Sequence, residues 1–298
     1  MRFALIQDPQ EFAARTERVL SARLECNLLA TVLLRVLDGA RADPPPVFAI
    51  GLSEHGDEAA FAAMRTPPFP LLTSPLDDVA DAEPLMALWL QADPECSSVT
   101  GVTDTARAIA AAWARRTGGT ARTRMNEAMH VLDEVRDPHR PGAGALRLPH
   151  PDERGLLVDW MREFVTEAGL IGAAEAAGMV DARLRHRGLL VWDDGQPVSM
   201  LGVAPEVSRV VRIGPVYTPP PYRRRGYAGS AVAAASRRAL AGGAAHCMLF
   251  TDLANPTSNK IYAEVGYRRA RDWEEIALEP AHPRDDPESG SSGGAAPS

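Results

Sequence analysis

Between Val211 and Gly243 the chain carries the parts of a phosphate-binding turn. Arg223-Arg224-Arg225-Gly226-Tyr227-Ala228-Gly229 sets three guanidinium groups and two glycines at the start of a segment in which Ala228, Val232, Ala235 and Leu240 recur at helical spacing, until Gly242-Gly243 stops it. Glycine lets an anion approach the main chain, the unpaired amides of a first helical turn donate to it, and the helix dipole favours its charge. The expected ligand is a phosphorylated cofactor. Upstream, the β-branched run Val211 to Thr218 ends in Pro219-Pro220-Pro221, so a strand must deliver the chain to this turn and stop there.

A second constellation lies downstream. The apolar strand His246 to Asp252 leads to Asn255 as an N-cap, Pro256 at the first helical position and Gly266 as the stop. At ~100° per residue, Asn255, Ser258, Asn259 and Tyr262 share one stripe, with Ile261 and Val265 on an apolar stripe beside it. One face packs, and the other offers amides, hydroxyls and a phenol.

Together these residues resemble the signatures of the Gcn5-related N-acetyltransferases (GNAT family). Arg223-x-x-Gly226-x-Ala228 is similar to the Q/R-x-x-G-x-G/A motif. Asn255-x-x-Ser258-x-x-x-Tyr262-x-x-x-Gly266-Tyr267 is similar to the second motif, with Ser258 where alanine is more common. The resemblance implies that Arg223, Arg224, Arg225, Gly226, Tyr227, Ala228, Gly229 and Ser230 hold the diphosphate of acetyl-CoA. It also implies that Val216, Tyr217 and Thr218 hydrogen-bond the pantetheine arm, and that Tyr262 protonates the departing thiolate. Asn255, Ser258 and Asn259 complete the expected cofactor-binding set. The implied activity is transfer of an acetyl group from acetyl-CoA to a primary amine of a small molecule or peptide. The alternatives are a non-catalytic acyl-CoA sensor or scaffold, and a transferase using a longer acyl-CoA.

A thioester is already activated, so the amine attacks it directly and what the protein must supply is positioning and proton traffic. An alkylamine with pKa about 10.4 is mostly protonated at neutral pH, so a base has to take its proton. Glu163, Asp193, Asp252 and Glu206 are candidates; Glu163, in the helical segment Trp160-x-x-Glu163-Phe164, is favoured because the family's helices there line the acceptor side.

Composition narrows the rest. A net charge of −7 over 298 residues excludes a general nucleic-acid binder, whose surface must neutralise phosphates, and suits a cationic acceptor. No apolar window reaches the ~18 residues of a membrane helix, and the N-terminus lacks a signal-peptide core, which predicts a cytoplasmic protein without membrane contact, monomeric or homodimeric. The three cysteines, Cys26, Cys96 and Cys247, include no C-x-x-C, and the histidines show no ligand spacing, so no metal site is expected. Lys260 is the sole lysine and falls inside the second motif, which raises the expectation of an interaction with the cofactor's phosphates.

The elements that must position these groups divide the chain. Helical periodicity covers Pro9 to Leu37; strands are expected at Val47–Leu52, Ala59–Met64 (joined by the turn Glu54-His55-Gly56-Asp57), Leu71–Thr73 and Ser97–Val102. Helices are expected at Asp78–Gln91 and, capped by Asp104, through Trp113, with one or two strands in Thr120–Val135. Asp137 to Pro151 is rich in Pro and Gly and is the expected linker. Beyond it the pattern predicts helices from Asp152 and over Ala173–Arg185, a hairpin around Asp193-Asp194-Gly195, and a closing strand Asp272–Leu278. This order matches the layout of the family resembled, and the resemblance implies a mixed α/β fold, a mostly antiparallel sheet flanked by helices. The element order before residue 140 resembles a worn copy of the order after it, without the two motifs, as in bacterial acetyltransferases with a degenerate first domain. This resemblance divides the chain into a degenerate domain at 1–140, a catalytic domain at 141–281 and a disordered, Ser/Gly/Pro-rich tail at 282–298.

Overall fold

The computed structural model describes residues 1–39, 43–53, 56, 58–170 and 172–281. The tail at 282–298 and most of the turn at 54–57 therefore lie outside the described residues. The first half runs β1 (Arg2–Ile6), α1 (Pro9–Ala22), α2 (Asn27–Leu37), β2 (Val47–Leu52), β3 (Ala59–Arg65), β4 (Leu71–Thr73), α3 (Ala82–Ala92), β5 (Ser98–Val102), α4 (Thr103–Thr117) and β6 (Thr120–Leu132). The second runs β7 (Ala145–Arg147), α5 (Arg154–Glu167), α6 (Ala176–Arg185), β8 (Leu189–Asp193), β9 (Pro197–Val203), β10 (Val210–Tyr217), α7 (Tyr227–Ala241), β11 (His246–Asp252), α8 (Pro256–Val265) and β12 (Arg268–Glu279). Both halves run through the same succession of strands and helices.

Local chemistry sets many of the boundaries. Asp8 caps α1 by accepting from Gln10 N–H at 2.7 Å, and Asn255 caps α8 by accepting from Ser258 N–H at 3.1 Å. Gly118 and Gly266 end α4 and α8 in the left-handed region. The single helix expected over Pro9–Leu37 is instead two, because Arg23 is extended, pairs with Asp77 at 2.7 Å, and turns the chain through Leu24–Cys26. Asp104 lies inside the first turn of α4 and does not cap it. The closing strand starts earlier than expected, at Arg268.

Among the described residues twelve strands form one sheet in the order β1-β2-β3-β4-β5-β12-β6-β11-β10-β9-β8-β7. Exchanging each strand for its counterpart in the other half and reversing the direction returns the same order, so the sheet is symmetric about the β6–β12 pair. Only β4–β5 and β10–β11 run parallel. The last strand of each half has crossed over: β12 pairs with β5 of the first half, and β6 pairs with β11 of the second.

Packing reflects the exchange. Ile276 and Leu278 of β12 are buried with Leu85, Trp89 and Trp113 in the first half's core under α3 and α4. Leu132 of β6 is buried with Val232, Leu249 and Val265 in the second half's core under α7 and α8. Helices α1 and α2 cover β2 and β3, and α5 and α6 cover β8 and β9.

One ion pair is buried in the first half. Arg65 Nη1 donates to both oxygens of Asp93 at 2.7 and 3.0 Å, Trp89 Nε1 donates to the same carboxylate at 3.2 Å, and the two charged side chains are 6% and 8% exposed. Removing one partner strands the other charge away from water. Asp93→Ala is expected to cost about 3–5 kcal/mol, read from chemical denaturation midpoints.

Candidate active site

Strand β10 builds the site by changing partners. It pairs with β11 only over Val210–Arg212, then shifts register on β9 between Ile213 and Val216, through Gly214-Pro215. Its remaining length tracks β9 while β11 continues straight to Asp252, so the two parallel strands part and leave a wedge-shaped cleft of about 1480 Å³. One main-chain edge of Val216 and Tyr217 therefore faces the opening instead of another strand. The bulge requires Gly202 opposite, where a Cβ would meet the Gly214 carbonyl oxygen at 2.5 Å. Ser199 Oγ fixes the strand's end, donating to Tyr217 O at 2.9 Å and sharing a hydrogen bond with Thr218 Oγ1 at 2.9 Å.

The arginine turn closes the wide end. Arg224 and Gly226 both take left-handed backbone, at φ 64° and 81°, and Gly226 is the N-cap of α7 with no side chain capping it. The helical ladder begins with Ser230 N–H to Gly226 O at 3.0 Å, which leaves the Tyr227, Ala228 and Gly229 amides for a ligand. The three arginines take different directions. Arg223 donates to Thr218 O at 2.8 Å and Glu167 Oε2 at 2.6 Å and lies 5.7 Å over the Tyr217 ring. Arg224 lines the cleft. Arg225 hydrogen-bonds Tyr227, whose hydroxyl donates to Asp194 Oδ2 at 2.6 Å.

The segment expected to be a linker packs onto this turn. A Cβ on Gly226 would lie 2.2 Å from Arg140 O, and one on Gly142 would lie 2.6 Å from the Tyr227 ring. Gly142 N–H donates to Ser230 Oγ at 2.9 Å, so that oxygen already accepts one hydrogen bond from this segment. Pro138, His139 and Arg140 thereby become one wall of the cleft, which Arg224 also lines.

Helix α8 forms the opposite wall. Tyr262 lines the cleft and is only 9% exposed; burial pushes its phenol up to about 12, against the opposing hydrogen bond with Ser258. It packs edge-on to Tyr267 at 6.2 Å, and Tyr267 Oη is hydrogen-bonded to Ser236 Oγ at 2.8 Å. Asn255 and Ser258 line the cleft, whereas Asn259 turns inward, donating to Asp252 O at 3.1 Å and Asn255 O at 2.9 Å. Lys260 lines the cleft at its mouth, 3.9 Å from Glu264.

Of the expected residues, the cleft brings together Val216, Tyr217, Thr218, Arg223, Arg224, Gly226, Tyr227, Ala228, Gly229, Asn255, Ser258 and Tyr262. Arg225, Ser230 and Asn259 brace it from behind. Glu163 is not on the lining: it is exposed on α5 and accepts from Tyr217 Oη at 2.9 Å, and burial, followed by this carboxylate, pushes the Tyr217 phenol up to about 12. Glu127 of β6 is on the lining, beside Phe250, Thr251 and Asp252. Burial, followed by the charges of Glu275 and Asp252, raises its carboxyl to about 7. Local sequence could not single it out, because its place in the site depends on the strand exchange. Among the described residues no group of His, Cys, Asp and Glu could hold a metal.

The first half carries no matching arginine turn. Where the second half has its arginines before α7, the approach to α3 carries Asp77, Asp78 and Asp81, with Glu83 in the first turn. Asp78 caps that approach from within, accepting from Ala80 N–H at 2.9 Å. Asp77, Asp81 and Glu83 are taken up in ion pairs with Arg23, the N-terminal ammonium and Arg115 and Arg116, so among the described residues this approach presents no free guanidinium groups to a diphosphate as the second half's turn does.

Residues 154–267 match the family model described as acetyltransferase (GNAT) family. Solved structures share the fold across nearly the whole chain. An acetyltransferase from the GNAT family of Colwellia psychrerythraea aligns over 94% of this chain and 100% of its own, at TM-score 0.59 and 10% identity. A GCN5-related N-acetyltransferase from Sphaerobacter thermophilus covers 93% and 96%, at 0.55 and 17%. A tandem GNAT protein from the clavulanic acid biosynthesis pathway covers 95% and 100%, at 0.57 and 13%. At these identities the likeness is one of fold. No curated protein matches the sequence.

Proposed function

We propose, from the premise that residues 154–267 form an acetyltransferase domain of the GNAT family, that this chain moves the acetyl group of acetyl-CoA to a primary amine of a small molecule or peptide. The observation that carries the reading is the parting of β10 from β11, with free helix-start amides and arginines at one end and Tyr262 in the wall. In this reading the diphosphate sits on the Tyr227 to Gly229 amides with Arg224 and Arg140 beside it, and the pantetheine arm runs along the open edge of Val216 and Tyr217. Tyr262 gives its proton to the CoA sulfur as the tetrahedral intermediate collapses. Glu163 serves by holding Tyr217, whose ring supports Arg223. Residues 1–140 and 141–281 act as two repeats, with one cofactor site in the second. A buried tyrosine that keeps its proton at neutral pH favours an enzyme over an acyl-CoA sensor, which has no use for a proton donor at the sulfur. No helix among the described residues is long and apolar enough to cross a membrane.

The cofactor step is directly measurable. CoA or acetyl-CoA at 100 times its Kd is expected to add about 2.7 kcal/mol of stability, read as an upward shift in Tm. Replacing Arg224 by glutamate should weaken that shift. An unchanged Tm at saturating acetyl-CoA would remove the cofactor and the reading with it.

A further inference from the structure

We propose that Glu127, a residue of the first half, is the base that takes the proton from the acceptor amine, and that the amine enters through a cavity lying between the two halves. This rests on the acetyl-transfer reading and adds to it the base and the kind of acceptor. Glu127 lines the cleft that holds Tyr262, and it also lines a second cavity of about 1260 Å³ bounded by β5, β12 and the chain around Arg23. It stands where the two meet, so a group entering the second cavity reaches the thioester past this carboxylate.

The strand register accounts for its character. On β6, Glu127 lies opposite Asp252 of β11 and Trp273 of β12, and cross-strand partners project from the same face of a sheet. The Trp273 ring contacts Phe250 at 4.8 Å between centroids, forming an apolar flank for the carboxylate. Among the described residues no hydrogen bond or ion pair engages Glu127. The other charges on this face are Asp252 and, two positions along β12 on either side of Trp273, Glu275, whose own partner is Arg124 at 3.4 Å, and Arg271, which is held by Glu25 at 2.7 Å. Desolvation and these like charges place the carboxyl near neutrality, the range in which a general base is most effective.

The second cavity also selects. Its arginines are answered in pairs: Arg23 with Asp77, Arg107 with Glu274, Arg269 with Asp272 and Arg271 with Glu25. Six carboxylates line the cavity with these four arginines: Asp104 shares Arg107 with Glu274, and Glu127 remains without a cation. A lining left with excess negative charge favours an acceptor that carries a second positive group besides the reacting amine, as a diamine or polyamine does.

The proton count closes. Glu127 removes one proton from the ammonium, and the freed lone pair forms the N–C bond to the thioester carbonyl. As the C–S bond breaks, Tyr262 protonates sulfur. The remaining excess proton on nitrogen passes through cleft water to restore Tyr262, and Glu127 releases its proton to solvent.

The test measures thiol release from acetyl-CoA with butylamine, 1,4-diaminobutane and spermidine as probes across pH. The diamine and the polyamine are expected to outperform butylamine by at least tenfold in kcat/KM. Glu127→Gln is expected to lower kcat/KM about a hundredfold and abolish the acid limb near pH 7, while the CoA-induced Tm shift persists. Asp252→Asn removes a like charge and is expected to move that limb to lower pH. Because the variant deletes a partly desolvated carboxylate, Glu127→Gln should melt no lower than wild type at pH 8, whereas a purely structural role predicts a loss. An E127Q enzyme with wild-type kcat/KM and an intact limb would overturn this inference and leave acetyl transfer standing. Thiol release no faster with diamines than with butylamine, or absent with every probe from a wild type that binds CoA, would overturn the proposed acceptor route. A wild type that fails to bind CoA would overturn the broader reading instead.

Discussion

Tyr262→Phe is expected to lower kcat by about a thousandfold while the Kd for CoA stays within a few-fold. The size comes from what the hydroxyl does. In the proposed reaction the thiolate is the leaving group, and the phenol, pushed up to about 12, is a reservoir that stays protonated at neutral pH until the sulfur takes the proton. Phenylalanine keeps the ring, its edge contact with Tyr267 and its place in the second half's core, so the fold has little reason to change. Only the proton is lost. An interaction used in the transition state and not in binding depresses kcat without raising KM. The measurement is steady-state thiol release, beside a Tm shift with CoA for each protein. A Tyr262→Phe enzyme at wild-type kcat would end the assignment, and the proton would then have to come from water or from another wall of the cleft.

How far the sequence discloses this site depends on the range of the interactions that build it. The arginine turn, the α7 start and the Asn255 cap with Tyr262 beyond it are local: each is a few residues whose backbone preferences act on one another, and each lies where the spacing predicts. The division of labour among the arginines is not local. Arg223 is drawn off by Glu167 on a distant helix, and Ser230 is claimed by Gly142 from the segment expected to be a mere linker. Glu163 shows the same limit, since its partner Tyr217 comes from a strand far along the chain. A helical carboxylate facing the right general direction is visible in sequence; whether a tyrosine hydroxyl already holds it is not.

The fold divides in the same way. The alternation of strands and helices and the repetition of their order are legible because they arise from periodicity and turn residues; the mostly antiparallel sheet follows only from the family resemblance. The five-residue strand β1, with a single buried side chain at Ile6, has too short a pattern to announce itself before it pairs with β2. The crossing of β6 and β12 is illegible for a deeper reason. Each strand's alternation is satisfied equally by its own half or by the other, and only the complete sheet decides between them.

That crossing makes the chain's division into halves testable, because a strand lent to another sheet cannot be removed cheaply. Expression of residues 141–281 alone is expected to give a product with no cooperative unfolding transition and no response to CoA. In that fragment β12 loses β5 on one side and β6 on the other, and β11 loses β6 along Cys247–Asp252. Trp273, Ile276 and Leu278, each no more than 4% exposed in the whole chain, face water. At about 1.5–3 kcal/mol for each large apolar side chain, those three alone forfeit roughly 4.5–9 kcal/mol, comparable to the ~5–15 kcal/mol that holds a typical domain together. The β11 and β12 edges, once unpaired, also become templates for aggregation. Co-expressing residues 1–140 with 141–281 should restore both the transition and the CoA-dependent Tm shift, since the missing strands come back with their own half. A fragment 141–281 that melts cooperatively and is stabilised by CoA would mean that β12 can fold back onto its own half. The first half would then be an appendage, and the strand bearing Glu127 would be dispensable to the site it now lines.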